Sequence, residues 1–415
     1  TSVGLGLPGM QLAVVPGHVD VQSAEELRRN VLNVTVDSVI NGLTQVTNGH
    51  THAEPEPAPE EIVFEGSFEE VNRFFYENEW GDGLPVVPPT PERVIRMLKG
   101  TQRDAQEVVG TCAPNYAPLT IEKIAINAVM AGCKPDYLPV VIAAAEIICV
   151  PEFCIHGLTA TTYGATPIIV VNGPIRHKIG MNMGINVLGQ GNRANATIGR
   201  AIKLIVRNVG GGRPGEVERA TLGSASKYTC CFAEFEERSP WEPLHVERGF
   251  AKNDSVVTCF GLESGPRQIA DQTSRTARAL AGSLGLGAEA SWHPKTHNFG
   301  DVLMVISPEH ADTIGRDKWS KEDVRRQMQN VTARPLRELL PTDDFGGLGA
   351  LPDQVKQRVR TEEELNKKIP KFQSTNNIHI VVAGGPAGKF SAMFGGWASG
   401  IYGSVPTSRK IEEAS

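Results

Sequence analysis

Two hydrophobic periods run through the chain. Phe68, Val71, Phe74 and Phe75 recur at helical spacing within residues 67–79, as do Ile198, Ile202, Ile205 and Val209 within 193–209. The same spacing predicts helices over 120–131, 135–149, 268–284 and 321–329, and another that begins at Pro91 behind a Thr90 cap. The stretch 135–149 is so apolar that it must be buried on most sides. Short unbroken apolar runs at 167–172, 256–261, 302–307 and 378–383 read instead as strands buried on both faces. Strands that alternate with helices in this way predict an α/β fold, with mixed or parallel sheets covered by helices. No internal repeat is evident.

The N-terminal part follows a different pattern. Residues 11–15 read as a strand, and Ser23 with Glu26 forms a capping-box pattern ahead of Leu27, Val31, Val34, Ile40 and Leu43. One strand and one helix cannot bury a core. Residues 1–46 are therefore expected to be the last βα unit of a domain whose earlier strands lie upstream, which makes the chain a fragment. Residues 47–61 carry His, Ala, Pro and Glu with almost no apolar content, so they read as a linker. Residues 62–415 form a large α/β domain, with a division into two lobes expected near 210–255.

Composition narrows the class. A length of 415 residues favours two or three domains, and a hydrophobic fraction of 40% with 21% charged residues is that of a globular protein. The net charge of −6 supplies no basic face for nucleic acid. The longest apolar run, 137–150, contains Pro139 and Glu146 and is shorter than the roughly 20 residues that span a bilayer. Seven cysteines without a CxxC spacing read as reduced thiols, which fits a cytoplasmic setting. The expected partner is a small-molecule substrate, not nucleic acid or a membrane, and a homo-oligomer is compatible with the composition.

Several strings carry a resemblance. They are Gly81-Asp-Gly-Leu-Pro-Val-Val-Pro-Pro-Thr-Pro, Ala117-Pro-Leu-Thr-Ile-Glu-Lys-Ile-Ala-Ile-Asn-Ala, Asn172-Gly-Pro-Ile-Arg, Gly191-Asn-Arg-Ala-Asn-Ala-Thr-Ile-Gly-Arg and Trp241-Glu-Pro-Leu-His-Val-Glu-Arg-Gly-Phe. Across 62–415 the chain resembles the UGSC family of large bacterial proteins, named for a Sec/Cys-Gly-Ser-Cys motif. Its opening βα unit is similar to the end of that family's N-terminal domain, where the motif lies; the motif itself is absent from this sequence. The resemblance implies thiol or selenol chemistry in the parent protein. A selenol or thiol at the first position would act as nucleophile or reductant, and the thiol three residues later would resolve the mixed species.

Candidate chemistry concentrates between His156 and Arg200. His156, Thr159, Thr161 and Thr162 crowd polar groups between a buried helix and a buried strand that ends at Asn172. The following loop sets Asn182, Asn186, Asn192 and Asn195 among glycines and leads into a helix start, where backbone amides with Arg193 or Arg200 suit a carboxylate or phosphate. The competing reading is a turn whose Asn side chains satisfy local backbone. His245 and Glu247 would share one side of an extended chain and could perform acid–base work or, with His293 and His297, bind a divalent metal. Cys112, in a loop, is the thiol with most scope for reactivity, and Asp82 is a further candidate. Gly384, Gly385 and Lys389 resemble a P-loop but miss its spacing, leaving a smaller anion as the expected guest.

These observations point to an enzyme on a small polar or carboxylated substrate, a thiol- or selenol-linked oxidoreductase whose redox motif lies outside this chain. The alternatives are a non-redox, metal-assisted lyase or hydrolase and a noncatalytic ligand-binding or assembly subunit.

Overall fold

The computed structural model describes residues 13–17, 22–44, 62–346, 360–400 and 403–413. The linker assigned to 47–61 and the first two residues of the strand assigned to 11–15 lie outside them, and residues 13–15 are not in a strand. Ser23 and Glu26 do form a capping box, opening the helical run Ala24–Asn30, Val31–Thr35 and Val36–Thr44, none of whose residues is buried.

Twelve strands are present among the described residues: β1 Val108–Cys112, β2 Ala117–Thr120, β3 Ala165–Asn172, β4 Cys231–Ala233, β5 Val256–Glu263, β6 Arg267–Ala270, β7 Val302–Ile306, β8 Arg334–Pro335, β9 Lys368–Ile369, β10 Ile378–Val382, β11 Phe390–Phe394 and β12 Thr407–Lys410. Eight of them build two four-stranded mixed sheets, in the orders β12-β5-β3-β4 and β10-β7-β11-β6. The pairs β3/β4 and β7/β10 are parallel, and the others in these sheets are antiparallel. The last strand, β12, returns to the first sheet, so the chain does not divide cleanly where the second sheet begins.

Side-chain alternation explains how both faces of each sheet come to be apolar. Ile168 and Val170 of β3, Phe232 of β4 and Phe260 and Leu262 of β5 pack against Leu303, Val305, Val381, Ala392 and Phe394 of the second sheet. The intervening residues Ile169, Val171, Val257 and Cys259 face a separate core built with the helices Ile121–Ala131, Leu138–Cys149 and Arg193–Asn208. Val302, Met304, Ile306, Ile378 and Ile380 likewise face the helices Ala277–Glu289, Pro308–Arg316 and Lys321–Thr332. The molecule is an α/β fold in four layers, helix, sheet, sheet, helix. Helices thus cover each sheet on one face only, and the other face is covered by the partner sheet.

One predicted helix changes. Residues 268–284 do not form a single helix: Arg267–Ala270 is strand β6, paired antiparallel with β11, and the helix starts at Ala277 behind a Thr276 cap. Asp271 enforces the break by accepting the Thr273 and Ser274 amides at 3.0 and 2.8 Å. Among the described residues no single helix is long and apolar enough to cross a membrane. The bent pair Pro135–Cys149 and Pro151–Ala160 passes that test by length and composition only.

Candidate functional site

The parallel strands bring their carboxyl ends to one edge of the molecule. β3 ends at Asn172, β4 leads into Glu234, and the amide of Phe235 donates to the carbonyl of Val382 at the end of β10. The Gly384 amide donates to the Met183 carbonyl, tying the loop after β10 to the loop after β3. Carboxyl ends of strands in open α/β sheets are where such folds commonly place ligands.

A buried polar cluster occupies this edge. Asn172, Glu234 and His245 are each 0% exposed. The Asn172 amide donates to Glu234 at 2.7 Å and to Glu236 at 3.1 Å. Glu236 also accepts the Gly173 amide at 2.7 Å and pairs with Arg176 at 3.1 Å. Arg176, almost fully buried, donates to the Glu234 carbonyl and pairs with Glu237. Glu234 Oε2 accepts a second bond, from the Leu244 amide at 2.8 Å. Three of its atoms make no hydrogen bond among the described residues: Asn172 Oδ1, Glu234 Oε1 and His245 Nδ1. Burial pushes the Glu234 carboxyl above the usual carboxylate range, opposed by the Lys321 ammonium and by its bonds from Leu244 and Asn172.

His245 and Glu247 diverge. They lie in the short helix Leu244–Glu247 rather than in an extended chain, so alternation does not put them on one side. His245 turns inward, its Nε2 3.2 Å from the Lys252 carbonyl and its Nδ1 4.0 Å from Glu236. Glu247 turns to Lys321, at 2.9 Å, and to Arg325. These two cations hold its carboxyl below the usual range despite partial burial.

The Asn-rich loop is largely self-satisfied. Asn192 caps the helix Arg193–Asn208 by accepting the Asn195 amide, and its own side chain donates to the Gly180 carbonyl. Asn195 exchanges two bonds with the Asn182 backbone, Asn182 accepts the Gly184 amide, and Asn186 donates to the Gln190 carbonyl. Arg200 is committed to Asp82, whereas Arg193 spends one bond on the Gly132 carbonyl. Gly388 and Lys389 offer their amides to the chain's own Glu309 carboxylate, at 2.9 and 3.2 Å, and Gly384 and Gly385 line the same loop.

Other predicted residues lie elsewhere. His156, Thr159, Thr161 and Thr162 precede β3, whose length of roughly 23 Å at about 3.3 Å per residue separates them from Asn172. They cannot share a strand-end site with it. Thr159 donates to the Ile155 carbonyl, Thr161 accepts the Tyr163 amide, and His156 lies 3.5 Å from the Tyr116 hydroxyl. Cys112 ends strand β1 and is fully buried, not a loop thiol; the adjacent Cys149 thiol and burial push it well up. His293 and His297 do not share a helical face, because residues 291–300 are irregular and His297 sits between the Ile369 and Pro294 carbonyls. Among the described residues no three His, Cys, Asp or Glu side chains are grouped to hold a metal ion.

Sequence reasoning missed Glu234, Glu236, Arg176 and Lys321. The available signal was an acidic run directly after an apolar one, Cys231-Phe-Ala-Glu-Phe-Glu-Glu. Compared with known proteins, the chain matches no family model, no curated protein and no solved structure.

Proposed function

We propose that this chain is the substrate-handling part of a small-molecule enzyme, a thiol- or selenol-linked oxidoreductase acting on a small polar or carboxylated substrate, with its proton transfers at Glu234 and His245. The observation that carries this reading is the group of three buried polar atoms that make no hydrogen bond among the described residues, on Asn172, Glu234 and His245. Each such atom costs about 1–3 kcal/mol, so a fold that keeps three around one cluster spends stability there. Glu234, with its raised affinity for the proton, is suited to donate one, and His245 Nδ1, which makes no hydrogen bond among the described residues, to accept one. The redox step belongs, in this reading, to the Sec/Cys-Gly-Ser-Cys segment implied by the UGSC resemblance.

The test uses the full-length protein with a dithiol reductant and a mixture of small carboxylated metabolites, followed by mass spectrometry. A consumed metabolite identifies the substrate, and Glu234→Gln and His245→Asn should each lower its kcat by about 100-fold or more while the fold is kept. Turnover unchanged in both variants rejects the site, and turnover that needs no reductant rejects the redox class.

A further inference from the structure

A second feature of the surface is a cavity of about 240 Å³ between the helix Pro91–Leu98, the segment that follows the helix Ile121–Ala131, and the start of the helix Arg193–Asn208. Arg93, Arg96, Lys134 and Arg193 line it, no carboxylate does, and Met97 and Val129 supply apolar wall. Four cations of one sign around so small a volume are not a consequence of composition, because the chain has 41 Lys and Arg against 47 Asp and Glu.

None of the four belongs to an ion pair among the described residues. Two are fixed by one bond each: Arg193 Nε donates to the Gly132 carbonyl at 2.9 Å, and Arg93 Nη1 to the Pro88 carbonyl at 2.9 Å. Their remaining N–H groups, with those of Arg96 and Lys134, make no hydrogen bond within the described protein. Glu92, the acidic neighbour in sequence, is hydrogen-bonded at its own backbone amide and at Thr90, and it attracts Arg93 without forming an ion pair with it. Arg193 is also the first residue of a sixteen-residue helix, whose terminus adds partial positive charge. The fold therefore holds several charge-assisted donors around one concavity and lets their mutual repulsion stand. An anion removes that repulsion and takes up the donors.

We propose that this cavity binds a small organic dianion, a phosphate monoester or short dicarboxylate, through Arg93, Arg96, Lys134 and Arg193. Guanidinium forks match the oxygens of either group, and the Met97 and Val129 wall receives a short carbon body. The volume lies below the roughly 300–1,000 Å³ of clefts that enclose drug-sized ligands, so the guest is small. Cys133 in the wall is kept a thiol by burial, which pushes it up to about 12, so the site binds without covalent capture. The proposal stands whether or not Glu234 and His245 are catalytic.

Isothermal titration of the whole chain with glycerol 3-phosphate, succinate and inorganic phosphate, with glycerol as the neutral control, tests it. At least one of the two organic dianions should bind saturably at one site and more tightly than inorganic phosphate, and glycerol should not bind. Affinity should fall on adding salt, and about tenfold or more in each of Arg96→Ala and Lys134→Ala, since a charge-assisted contact is lost in each. Both side chains are exposed, so the fold tolerates their removal. No saturable binding of either organic dianion, binding no tighter than that of inorganic phosphate, or affinity unchanged in both variants would overturn the proposal.

Discussion

Asp82 and Arg200, 118 residues apart, meet side by side: the carboxylate accepts from Nε at 2.7 Å and from Nη2 at 2.8 Å, with only 12% and 15% of the two side chains exposed. Arg200 also donates to the carbonyls of Leu84 and Pro85. The pair pins the Gly- and Pro-rich loop at 81–91 to the third turn of the helix Arg193–Asn208, and neither partner is left to bind a substrate.

Asp82→Asn should therefore destabilise the fold by about 3 kcal/mol, the cost of leaving one member of a largely buried pair uncompensated. Urea unfolding measures this as a lower midpoint at unchanged slope. A loss below about 1 kcal/mol would instead mark the pair as an ordinary surface contact.

Glu234 makes stability depend on pH in the opposite sense to a surface carboxylate. Its folded-state proton affinity is raised by burial, so the stabilising neutral form is fully present below the unfolded value near 4.5 and is lost as pH rises through the raised folded value. Glu234→Gln keeps an oxygen for the Leu244 and Asn172 amides and does not ionise, so its unfolding free energy should fall less steeply over that window. Parallel curves for the two proteins would show that Glu234 is not protonated more readily in the folded state.

Much of the fold was legible because its signals are local. The helix Phe68–Glu77 has an apolar stripe and a Ser67–Glu70 capping box, and β3 is an unbroken apolar run. The two-sheet arrangement was not, because a strand covered by a helix on both faces and one covered by a helix and a sheet carry the same run of Val and Ile. Strand β6 was hidden for another reason: of its four residues only Ile269 is buried, too little for a period of two to stand out. At the site, Asn172 and His245 were visible as polar residues beside apolar runs. Glu234 was not, because β4 has only three residues, and Lys321 looks like any lysine at a helix start. Chain order misled for Thr159 and Asn172, which are near neighbours in sequence but sit at opposite ends of β3. The cationic cavity draws on three separate segments, which no spacing within one of them could reveal.

The loop between β10 and β11 already holds an anion, the carboxylate of Glu309, at the Gly388 and Lys389 amides. Those two amides lower the Glu309 carboxyl from its ordinary value. Glu309→Gln should speed hydrogen exchange at both amides while leaving exchange in β10 unchanged, and inorganic phosphate should not shift their resonances in the unsubstituted protein. A phosphate-dependent shift there would mean that Glu309 yields its place and that the loop is a ligand site.

Cys112 gives the sharpest contrast between a loop thiol and a core one. It is 0% exposed, its thiol is pushed well up by the Cys149 thiol and by burial, and reactivity requires the thiolate. Under native conditions at neutral pH, iodoacetamide should leave Cys112 unmodified over the time in which a free thiol in solution reacts completely, and modification should begin only when the fold opens. Peptide mapping by mass spectrometry reads this directly, with urea-unfolded protein as the reference for full reaction. Cys154, partly exposed beside Gly157 and Trp397, should label ahead of it. Labelling of Cys112 at the rate of the unfolded reference would require an opening of the β1/β2 hairpin that this packing does not allow, and would return Cys112 to the set of reactive thiols.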